Sequence, residues 1–375
     1  MSGLYLHIPF CKSRCIYCDF YSTTSKENLL PAFVKAVCKE LEVRREEANN
    51  DIINTIYWGG GTPSCLPVKA IAQIFDTIQK HYQIAPDAEI TLEANPDDIE
   101  PQFITEIKEL SINRFSLGVQ TFNNNQLHFL GRRHTGENAR KAVMTIAEAG
   151  FENISIDLIY SLPQQTLKDW EIDVNTALEL PIKHLSAYSL MYEEGTRLTA
   201  LRNRGIIEET EDELSVALFN SLIDRTTTAG FEHYEISNFA LSGYRSRHNS
   251  SYWNNSPYIG IGPGAHSFDG KYSRRCNKEN LMTYSCNPGH PPHSIEKLND
   301  AERCDELVFT ALRTCEGLDM EILTQKFGNK IARHIIANAQ PHIAGGLLSQ
   351  NGNKLKLTHR GIFLSDMVMR DLMIG

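Results

Sequence analysis

The stretch His7-Ile-Pro-Phe-Cys-Lys-Ser-Arg-Cys-Ile-Tyr-Cys-Asp-Phe20 follows directly on a short apolar run that is typical of a first β-strand. It brings three cysteines, Cys11, Cys15 and Cys18, together in the spacing C-x3-C-x2-C. Three thiolates so close in sequence can bind three irons of a [4Fe–4S] cluster and leave the fourth iron without a protein ligand. An iron of this kind is a site for chemistry rather than an electron relay.

Zinc is the other metal that such a triplet can bind. A structural zinc site uses four nitrogen or sulfur ligands, often from two C-x2-C pairs, and the triplet has no second pair. His7 is a possible fourth ligand, but its position within the strand places it away from the loop. The triplet therefore favours an iron–sulfur cluster over zinc.

Strand-like and helix-like segments alternate over the first part of the chain. The predicted strands are residues 4–8, 55–58, 89–93, 114–118, 155–158 and 184–188. The predicted helices are residues 30–49, 69–82, 103–110, 137–149, 167–180 and 211–230. This order is typical of βα units in an α/β protein, and six such units predict a partial (β/α)6, TIM-like barrel that stays open.

After the predicted barrel, the composition and the hydrophobic pattern of the chain change at two points. Residues 236–298 are rich in Gly, Pro, Asn, Ser and Tyr, which predicts loops and short strands connecting two domains. Beyond them, helical patterns are followed by a Gly-Gly turn, a short strand pair and a last helix. The sequence therefore predicts a barrel at 1–235, a connecting segment at 236–298, and a small winged-helix-like α+β domain at 299–375.

Distinctive segments follow each of the six predicted strands. Ligands of parallel α/β sheets bind at the carboxyl ends of the strands, so six such segments indicate one binding site at this edge. After the cysteines they are Gly59-Gly-Gly-Thr-Pro-Ser, Glu93-Ala-Asn-Pro, Gly118-Val-Gln-Thr, Asp157-Leu-Ile-Tyr-Ser-Leu-Pro and Tyr188-Ser-Leu-Met-Tyr-Glu-Glu-Gly-Thr.

The residue types at this edge suit a small, polar ligand. Three glycines at 59–61, followed by Thr62, let a backbone approach a ligand closely and offer free N–H groups. A carboxylate or an amide suits ribose hydroxyls, whereas an arginine suits a carboxylate. The candidates for these roles are Glu93, Gln120, Asp157 and Arg132. For each residue taken alone, a salt bridge or a helix cap is the plainer alternative.

Two histidines in the connecting segment are candidate haem ligands. His248 begins His248-Asn-Ser-Ser-Tyr-Trp, which we expect to be a polar loop with an imidazole, an amide and two large aromatic rings. Imidazole can ligate haem iron, and aromatic faces can pack on a porphyrin. His266, in Gly264-Ala-His-Ser, is the second candidate. The alternative is an ordinary hydrogen-bonded histidine at a domain junction.

Composition excludes several classes of protein. A net charge of −9 argues against a non-specific nucleic-acid binder. No run of about 18 apolar residues is present, so we expect no membrane-spanning helix and at most peripheral membrane contact. The first residues lack the basic and apolar regions of a secretory signal. Nine cysteines, irregularly spaced, indicate reduced thiols in a cytoplasmic protein, with structural or incidental roles for the six outside the triplet.

Taken together, the motifs resemble the radical S-adenosylmethionine (SAM) family. The cysteine triplet, with Tyr17 just before its third cysteine, is the signature of that family. Within it, the chain resembles the coproporphyrinogen III oxidase-like branch in five motifs that occur in the same order. They are Leu6-His-Ile-Pro-Phe-Cys, Tyr57-Trp-Gly-Gly-Gly-Thr-Pro-Ser, Glu93-Ala-Asn-Pro, Gly118-Val-Gln-Thr-Phe and Asp157-Leu-Ile-Tyr-Ser-Leu-Pro.

Two main types make up this branch, an oxygen-independent coproporphyrinogen III dehydrogenase and the HemW type, a haem chaperone. The dehydrogenase carries a further cysteine two positions after the third, where this chain has Phe20. The dehydrogenase also has a long N-terminal extension. Because the first predicted strand of this chain begins at about residue 4, we expect no such extension here. The His248 hexapeptide is a feature of the HemW type. The resemblance therefore implies a haem chaperone, with the dehydrogenase, a radical SAM oxidative decarboxylase, as the alternative.

The resemblance also implies roles for single residues. Cys11, Cys15 and Cys18 would bind the [4Fe–4S] cluster, and the amino and carboxylate groups of SAM would occupy its fourth iron. The positions that match the SAM contacts of the family are Tyr5, Gly60, Gly61, Thr62, Glu93, Gln120, Arg132 and Asp157. Haem, with His248 as its candidate ligand, would be delivered to haem-accepting respiratory proteins. Cluster and SAM would either gate that transfer or supply a radical by reductive cleavage of SAM.

Overall fold

Six parallel strands form the centre of the structure, a computed structural model that describes residues 2–25, 27–48 and 51–375. The strands are β1 (Ser2–Ile8), β2 (Ile53–Gly60), β3 (Ile84–Ala94), β4 (Arg114–Gln120), β5 (Asn153–Tyr160) and β6 (His184–Ser189). Each contains one of the six predicted strands and extends beyond it. Two boundaries of the predicted elements lie outside the described residues: Met1, where the predicted barrel begins, and Asn49, where the first predicted helix ends.

The six strands lie side by side in chain order, and every neighbouring pair is parallel. The two outer strands pair with later parts of the chain: β1 pairs with Tyr258–Ile261, and β6 pairs with Asn238–Ala240. The barrel is therefore left open, as the predicted (β/α)6 architecture requires. All six carboxyl ends lie at one edge, which is where the distinctive motifs occur.

Helices connect the strands. In chain order they are α1 (Leu30–Val43), α2 (Val68–His81), α3 (Pro101–Ile107), α4 (Asn124–Leu130), α5 (Gly136–Glu148), α6 (Leu167–Glu179), α7 (Arg197–Asn203) and α8 (Asp212–Thr228). Thr135 and Thr166 begin α5 and α6 with capping boxes, which explains the sharp starts of these helices. The first helix is shorter than predicted, because the chain after Val43 tightens into a 3-10 turn at Arg44–Ala48.

The two faces of the strands differ in polarity. Outward side chains of β4, such as Phe115 and Leu117, are buried in the main hydrophobic core. The alternate side chains Arg114 and Ser116 are also buried, although they are polar. Since successive side chains of a strand point to opposite faces, these polar residues face the interior of the barrel. A polar interior of this kind is suited to binding a polar ligand rather than to packing alone.

Residues 229–298 add strands to both edges of the sheet. They form β7 (Glu232–Glu235), β8 (Asn238–Ala240), α9 (Arg247–Trp253), β9 (Tyr258–Ile261), β10 (His266–Phe268), β11 (Ser273–Asn277), α10 (Leu281–Cys286) and β12 (His293–Lys297). Beyond β6 the sheet continues with β8 and β7, and beyond β1 it continues with β9, β10, β11 and β12. The segment at 236–298, expected to connect two domains, thus contributes to one twelve-stranded sheet.

A buried ion pair fixes the added strands against α1. Arg44 Nη1 donates to Glu40 Oε1 at 2.8 Å and to the Gly260 carbonyl at 2.7 Å, and Nη2 donates to Ser267 Oγ at 2.9 Å. Glu40 also accepts from Asn277 Nδ2 at 2.7 Å. Because breaking a buried pair leaves an unpaired charge, this network holds β9, β10 and β11 in a defined position beside β1.

Residues from 300 onward form a second unit with its own hydrophobic core. Its elements are α11 (Asp300–Leu312), β13 (Leu318–Asp319), α12 (Met320–Phe327), α13 (Asn329–Ala344), β14 (Leu348–Asn351), β15 (Lys354–Leu357), α14 (His359–Ile362) and α15 (Ser365–Leu372). A helix, a strand, two helices and a hairpin agree with the predicted winged-helix-like unit. Phe363 packs edge-on against Phe219 of α8 at 5.2 Å. Across the described ranges, no helix has both the length and the apolar character needed to cross a membrane.

Candidate functional site

A cavity of about 420 Å³ opens at the carboxyl ends of the parallel strands. This volume is within the range of ordinary small-molecule sites. All three loop cysteines line it, together with seven of the eight predicted SAM contacts: Gly60, Gly61, Thr62, Glu93, Gln120, Arg132 and Asp157. The structure therefore brings these predicted residues together at one edge of the sheet.

The cysteine loop is closed at its base and tied at its tip. The Cys11 amide donates to the Thr23 carbonyl at 3.0 Å, and the Thr23 amide donates to the Pro9 carbonyl at 2.7 Å. Near the tip, the Ile16 amide donates to the Leu130 carbonyl at the end of α4 at 3.1 Å. These bonds hold the three cysteines in a defined arrangement over the cavity.

Asp98 anchors the start of the loop. Its carboxylate accepts from Lys12 Nζ at 2.5 Å and from Ser64 Oγ at 2.8 Å. The Asp98 side chain is 1% exposed, so these partners replace the water that would otherwise surround its carboxylate. Asp98 was not among the predicted site residues, although it lies just after the Glu93-Ala-Asn-Pro motif.

Two of the three thiols receive a hydrogen bond from the opposite wall. Thr62 Oγ1 donates to Cys11 Sγ, and Arg132 Nη1 donates to Cys15 Sγ, each at 3.4 Å. Burial raises the pKa of the Cys11 thiol, and it raises the pKa of the Cys18 thiol to about 11. A bound metal offsets this effect, because ligation stabilises the thiolate. Partly buried thiols, two of them with a donor to sulfur, fit the ligands of an iron–sulfur cluster.

The donor set bears on the choice between an iron–sulfur cluster and a single zinc ion. Among the described residues, no three His, Cys, Asp or Glu side chains converge closely enough to hold one metal ion. Zinc requires such convergence, whereas the thiolates of a [4Fe–4S] cluster each bind a different iron. His7, considered as a fourth zinc ligand, instead contacts the Tyr21 carbonyl through Nε2 at 2.9 Å. The donor set therefore suits the cluster better than zinc.

The glycine run at the end of β2 lets this strand and the start of the cysteine loop approach each other closely. A Cβ at Gly61 would lie 2.8 Å from the carbonyl oxygens of both Ile8 and Phe10. The amides of Gly61 and Thr62 donate to those same carbonyls at 2.7 and 2.8 Å. These two N–H groups are therefore not free for a ligand, which corrects the prediction made from the sequence. The glycines bring β2 against the cysteine loop.

We expect Gly61→Ala to push the cysteine loop away from β2. The added methyl group would also lie 3.0 Å from Cys11 Sγ, so it should lower the iron content after anaerobic reconstitution. Overpacking of this kind costs about 1–3 kcal/mol in unfolding free energy. The control is Gly345→Ala after α13, where the nearest atom to a Cβ lies at 3.2 Å. Normal iron content and stability in Gly61→Ala would show that the contact is not required.

Two partly buried acids, Glu93 and Asp157, face the cavity. Tyr57 Oη donates to Glu93 Oε1 at 2.6 Å, and Ser116 Oγ donates to Asp157 Oδ1 at 3.3 Å. Burial raises the pKa of Glu93 to about 7, and the negative charge of Asp157 adds to that effect. Burial also raises the pKa of Asp157. Carboxyl groups in mixed protonation states can both accept and donate hydrogen bonds, which suits the hydroxyl groups of a ribose.

The raised pKa of Glu93 predicts a pH-dependent stability. The folded chain keeps the Glu93 proton up to about pH 7, whereas the unfolded chain loses it near the ordinary value of 4.5. The stability that Glu93 contributes is therefore full below pH 4.5 and falls as the pH rises through about 7. Glu93→Gln should gain about 1–3 kcal/mol relative to wild type between about pH 5 and about pH 8 in urea unfolding. A difference in unfolding free energy between Glu93→Gln and wild type that does not change with pH would contradict the raised pKa of Glu93. The control is Glu109→Gln, because Glu109 is exposed.

Arg132 lies between the cysteine loop and the acids. Besides Cys15 Sγ, its guanidinium donates to Asn95 Oδ1 at 2.6 Å and to the Gly118 carbonyl. These contacts hold the planar group in place while it lines the cavity. Arginine recognises carboxylates through its fork of N–H groups, so the geometry suits a ligand carboxylate beside the cluster.

His248 lies beneath the cavity and not in the predicted polar loop. It belongs to α9, and its side chain is 1% exposed. Thr55 Oγ1 lies 2.8 Å from Nδ1 and Tyr252 Oη lies 2.9 Å from Nε2, so both ring nitrogens have partners. Burial lowers the pKa of His248 to about 3. In this position the ring packs at the base of the barrel, and ligation of a haem iron would have to replace one of these two hydrogen bonds. The role of His248 as a haem ligand stays a prediction.

Tyr5 is part of the same internal layer. Its ring stacks on Tyr57 at 6.2 Å and on His248 at 6.4 Å, and its hydroxyl lies 3.2 Å from His7 Nδ1. Tyr5 thus supports Tyr57, the partner of Glu93, from below and is not among the lining residues of the cavity. Its contact with SAM stays a prediction.

Other lining residues were given no individual role by the sequence analysis, although two of them, Asn95 and Tyr188, lie in its distinctive segments. Asn95, Ser116 and Tyr188 all line the cavity. The signal for Ser116 is the series of polar or small residues at alternate positions from Arg114 to Gln120, within an otherwise apolar strand. Because alternate residues share one face of a strand, this series marks the inner wall.

Comparison with known proteins identifies two regions of the chain. Residues 5–177 match the family model of the Radical SAM superfamily, and residues 298–364 match the HemN C-terminal domain. The first region contains the cysteine loop and most of the cavity. The second region covers most of the unit that follows the twelve-stranded sheet and ends just before α15.

Curated proteins resemble the chain over nearly its whole length. A Bacillus subtilis protein named "Heme chaperone HemW" is 32% identical and is covered over 98% of each chain. A Lactococcus lactis protein of the same name is 33% identical over 100% of this chain and 97% of its own. The solved coproporphyrinogen III oxidase (HemN) of Escherichia coli has a TM-score of 0.85 at 21% identity, covering 99% of this chain and 90% of that one. At that identity it shows the shared fold alone.

Proposed function

Since the chain belongs to the HemW family of radical SAM proteins, we propose that it is a haem chaperone. The near-full-length likeness to relatives of that name carries the proposal. The proposed cargo is haem, and the proposed recipients are haem-accepting respiratory proteins that the chain meets in the cytoplasm.

In this proposal the cavity holds the cluster and SAM. Cys11, Cys15 and Cys18 would hold the [4Fe–4S] cluster, with hydrogen bonds to sulfur from Thr62 and Arg132. When bound, the cluster supplies single electrons and SAM supplies a sulfonium group that can be cleaved reductively. The chain itself positions these groups and keeps water from them.

The remaining wall of the cavity would orient SAM. Arg132 suits its carboxylate, and the acids Glu93 and Asp157 suit the ribose hydroxyls. Ile159 and Leu190 are buried apolar residues of the lining and would exclude water from the adjoining surface. The contact of Gln120 with SAM is proposed on its place in the same lining.

Coproporphyrinogen III dehydrogenase is the alternative that the motifs left open, and the relatives do not favour it. Position 20, which carries a further cysteine in the dehydrogenase type, is occupied by Phe20. Its side chain is 62% exposed and borders the cavity, so it offers no thiol to a ligand there. The likeness to the solved coproporphyrinogen III oxidase is one of fold.

Haem transfer tests the proposed function. The chain is reconstituted anaerobically, loaded with ferric haem and mixed with a haem-free respiratory haem protein. Haem should pass to the recipient faster than it does from haem bound to serum albumin, and the recipient's spectrum measures the rate. Transfer no faster than from albumin would contradict a chaperone function.

A second assay addresses the alternative enzyme. With coproporphyrinogen III, SAM and a strong reductant under anaerobic conditions, we expect no loss of propionate carboxyl groups as carbon dioxide. Chromatography of the porphyrin products provides the measurement. Formation of protoporphyrinogen would overturn the chaperone proposal in favour of the dehydrogenase.

A further inference from the structure

A thiol and an imidazole face each other on the strands added beside β1. Cys276 of β11 and His266 of β10 are directly opposed in the antiparallel register. Cys276 Sγ and His266 Nε2 lie 3.3 Å apart. The imidazole is exposed and the thiol is partly exposed, so a ligand from solvent can reach the pair.

Cys276 differs from the other cysteines outside the cluster loop. Of these six, Cys276 is the one with an imidazole within hydrogen-bond distance in the part of the chain that the structure describes. For comparison, the Cys315 thiol lies beside Arg245 and the Cys65 thiol beside Asp98. Burial raises the pKa of the Cys276 thiol, which favours the neutral thiol as a hydrogen-bond partner over a thiolate ligand.

The contact is compatible with either tautomer of His266, because a thiol can donate to Nε2 or accept from it. In the tautomer whose Nε2–H donates to Cys276 Sγ, the second ring nitrogen, Nδ1, is the acceptor that can bind a metal. Metal-ligating histidines ordinarily have this arrangement, in which one nitrogen binds the metal and the other donates to a partner that orients the ring.

An aromatic cavity begins at the next residue pair on the same face of β10 and β11. The neighbouring pair Phe268 and Arg274 lies about 7 Å from the thiol–imidazole pair along the strands. Both residues line a cavity of about 510 Å³ between the sheet and the C-terminal unit. Its other aromatic walls are Tyr252, Trp253, Tyr258 and Phe309. Aromatic faces of this kind can stack on a flat macrocycle.

The pair also lies close to the cysteine loop. A Cβ at Gly264, two residues before His266, would lie 3.6 Å from the Cβ of Tyr21, which is in the segment that closes the loop. Tyr21 accepts from the Leu281 amide through its hydroxyl at 2.7 Å, and its carbonyl contacts His7 of β1. The pair and the cysteine loop are therefore neighbours in the fold.

We propose that His266 Nδ1 ligates the haem iron and that Cys276 is the positioning residue that orients the ring, with the macrocycle extending toward Phe268 and the aromatic cavity. Imidazole is a common haem ligand, and an exposed ligand suits a cargo that must be released. This proposal rests on the proposed function and replaces His248 with His266 as the haem ligand.

The test is a titration of ferric haem into the full-length, cluster-reconstituted chain, followed by absorbance and electron paramagnetic resonance. Wild type should show an imidazole-ligated haem. His266→Ala should lose that signature and bind haem at least about tenfold more weakly, since even loss of a ligand's hydrogen-bond partner costs about 10- to 100-fold. Cys276→Ala should weaken binding and alter the signature, and Cys276→Ser should restore part of both, since a hydroxyl can also accept from Nε2–H.

His293→Ala is the matched control, because His293 is exposed on the adjacent strand β12 and pairs with Asn277, next to Cys276. It should behave as wild type. An unchanged spectrum and affinity in His266→Ala, with stoichiometric binding by wild type, would overturn this inference and leave the proposed function standing. Absence of stoichiometric binding by wild type would instead overturn the proposed function together with the inference.

Discussion

Replacing Cys15 with alanine is expected to abolish the [4Fe–4S] cluster of the chain. The variant keeps Cys11 and Cys18, and two thiolates do not provide the three attachments of the cluster. Cys15 is also the thiol that receives the hydrogen bond of Arg132, so the link between the loop and the opposite wall is lost as well. Iron and sulfide content after anaerobic reconstitution, with the thiolate-to-iron charge-transfer absorbance, measure the loss, which should be nearly complete.

Cys286→Ala is the matched control for this prediction, because Cys286 is exposed at the end of α10. Its iron content should equal that of wild type. The metal-free forms of Cys15→Ala and wild type should unfold at the same temperature, which separates loss of the cluster from loss of the fold. Full iron and sulfide content in Cys15→Ala would refute the assignment of the loop.

Arg132→Gln is expected to weaken SAM binding by at least roughly thirtyfold in cluster-loaded protein. Removing one partner of a buried, hydrogen-bonded charge pair costs about 2–5 kcal/mol, and each 1.4 kcal/mol is a factor of ten in the dissociation constant. The guanidinium is fixed by Asn95 and Gly118, so its position is set before a ligand arrives. Arg132→Lys should recover only part of the affinity, because an ammonium group cannot reproduce the planar fork.

Equilibrium binding of SAM, expressed per cluster, is the measurement for Arg132→Gln. The control is Arg202→Gln, since Arg202 pairs with Glu209 at the surface and does not line the cavity. An equal dissociation constant for Arg132→Gln and wild type, at equal iron content, would show that Arg132 does not bind the carboxylate.

The position of the site could be predicted from the sequence because it depends on local patterns. Cys11 and Gly61 follow strands and Glu93 lies at the end of one, and a parallel sheet places all carboxyl ends at one edge. The strands themselves were recognisable as apolar runs between helical patterns. Knowing the order of the elements was therefore enough to bring these residues together without any knowledge of their side-chain contacts.

The environment of His248 could not be predicted, because it depends on contacts that are distant in sequence. Glu89 of β3 accepts hydrogen bonds from the amides of Arg247 and His248, and Ser246 caps the same helix. This turns an apparent loop into α9 and buries the imidazole inside the barrel. The residues of the hexapeptide do not reveal that the His248 amide is hydrogen-bonded to Glu89, which lies 159 positions earlier.

Short strands were expected at 236–298, but their positions and their pairing with the main sheet were missed for a related reason. Strands β9, β10 and β11 have four, three and five residues, which is too short for alternation of polar and apolar residues to identify them. Their placement depends on the buried pair of Arg44 and Glu40. The opposition of His266 and Cys276 arises only from this pairing, and their separation in sequence does not suggest it.

Titration of haem into the anaerobically reconstituted chain tests the central claim most directly. The proposed chaperone function predicts saturable binding of one haem per chain, measured by difference absorbance, at concentrations where an unrelated protein of similar charge binds none. Binding that does not saturate, or that the unrelated protein reproduces, would contradict the claim that this chain carries haem.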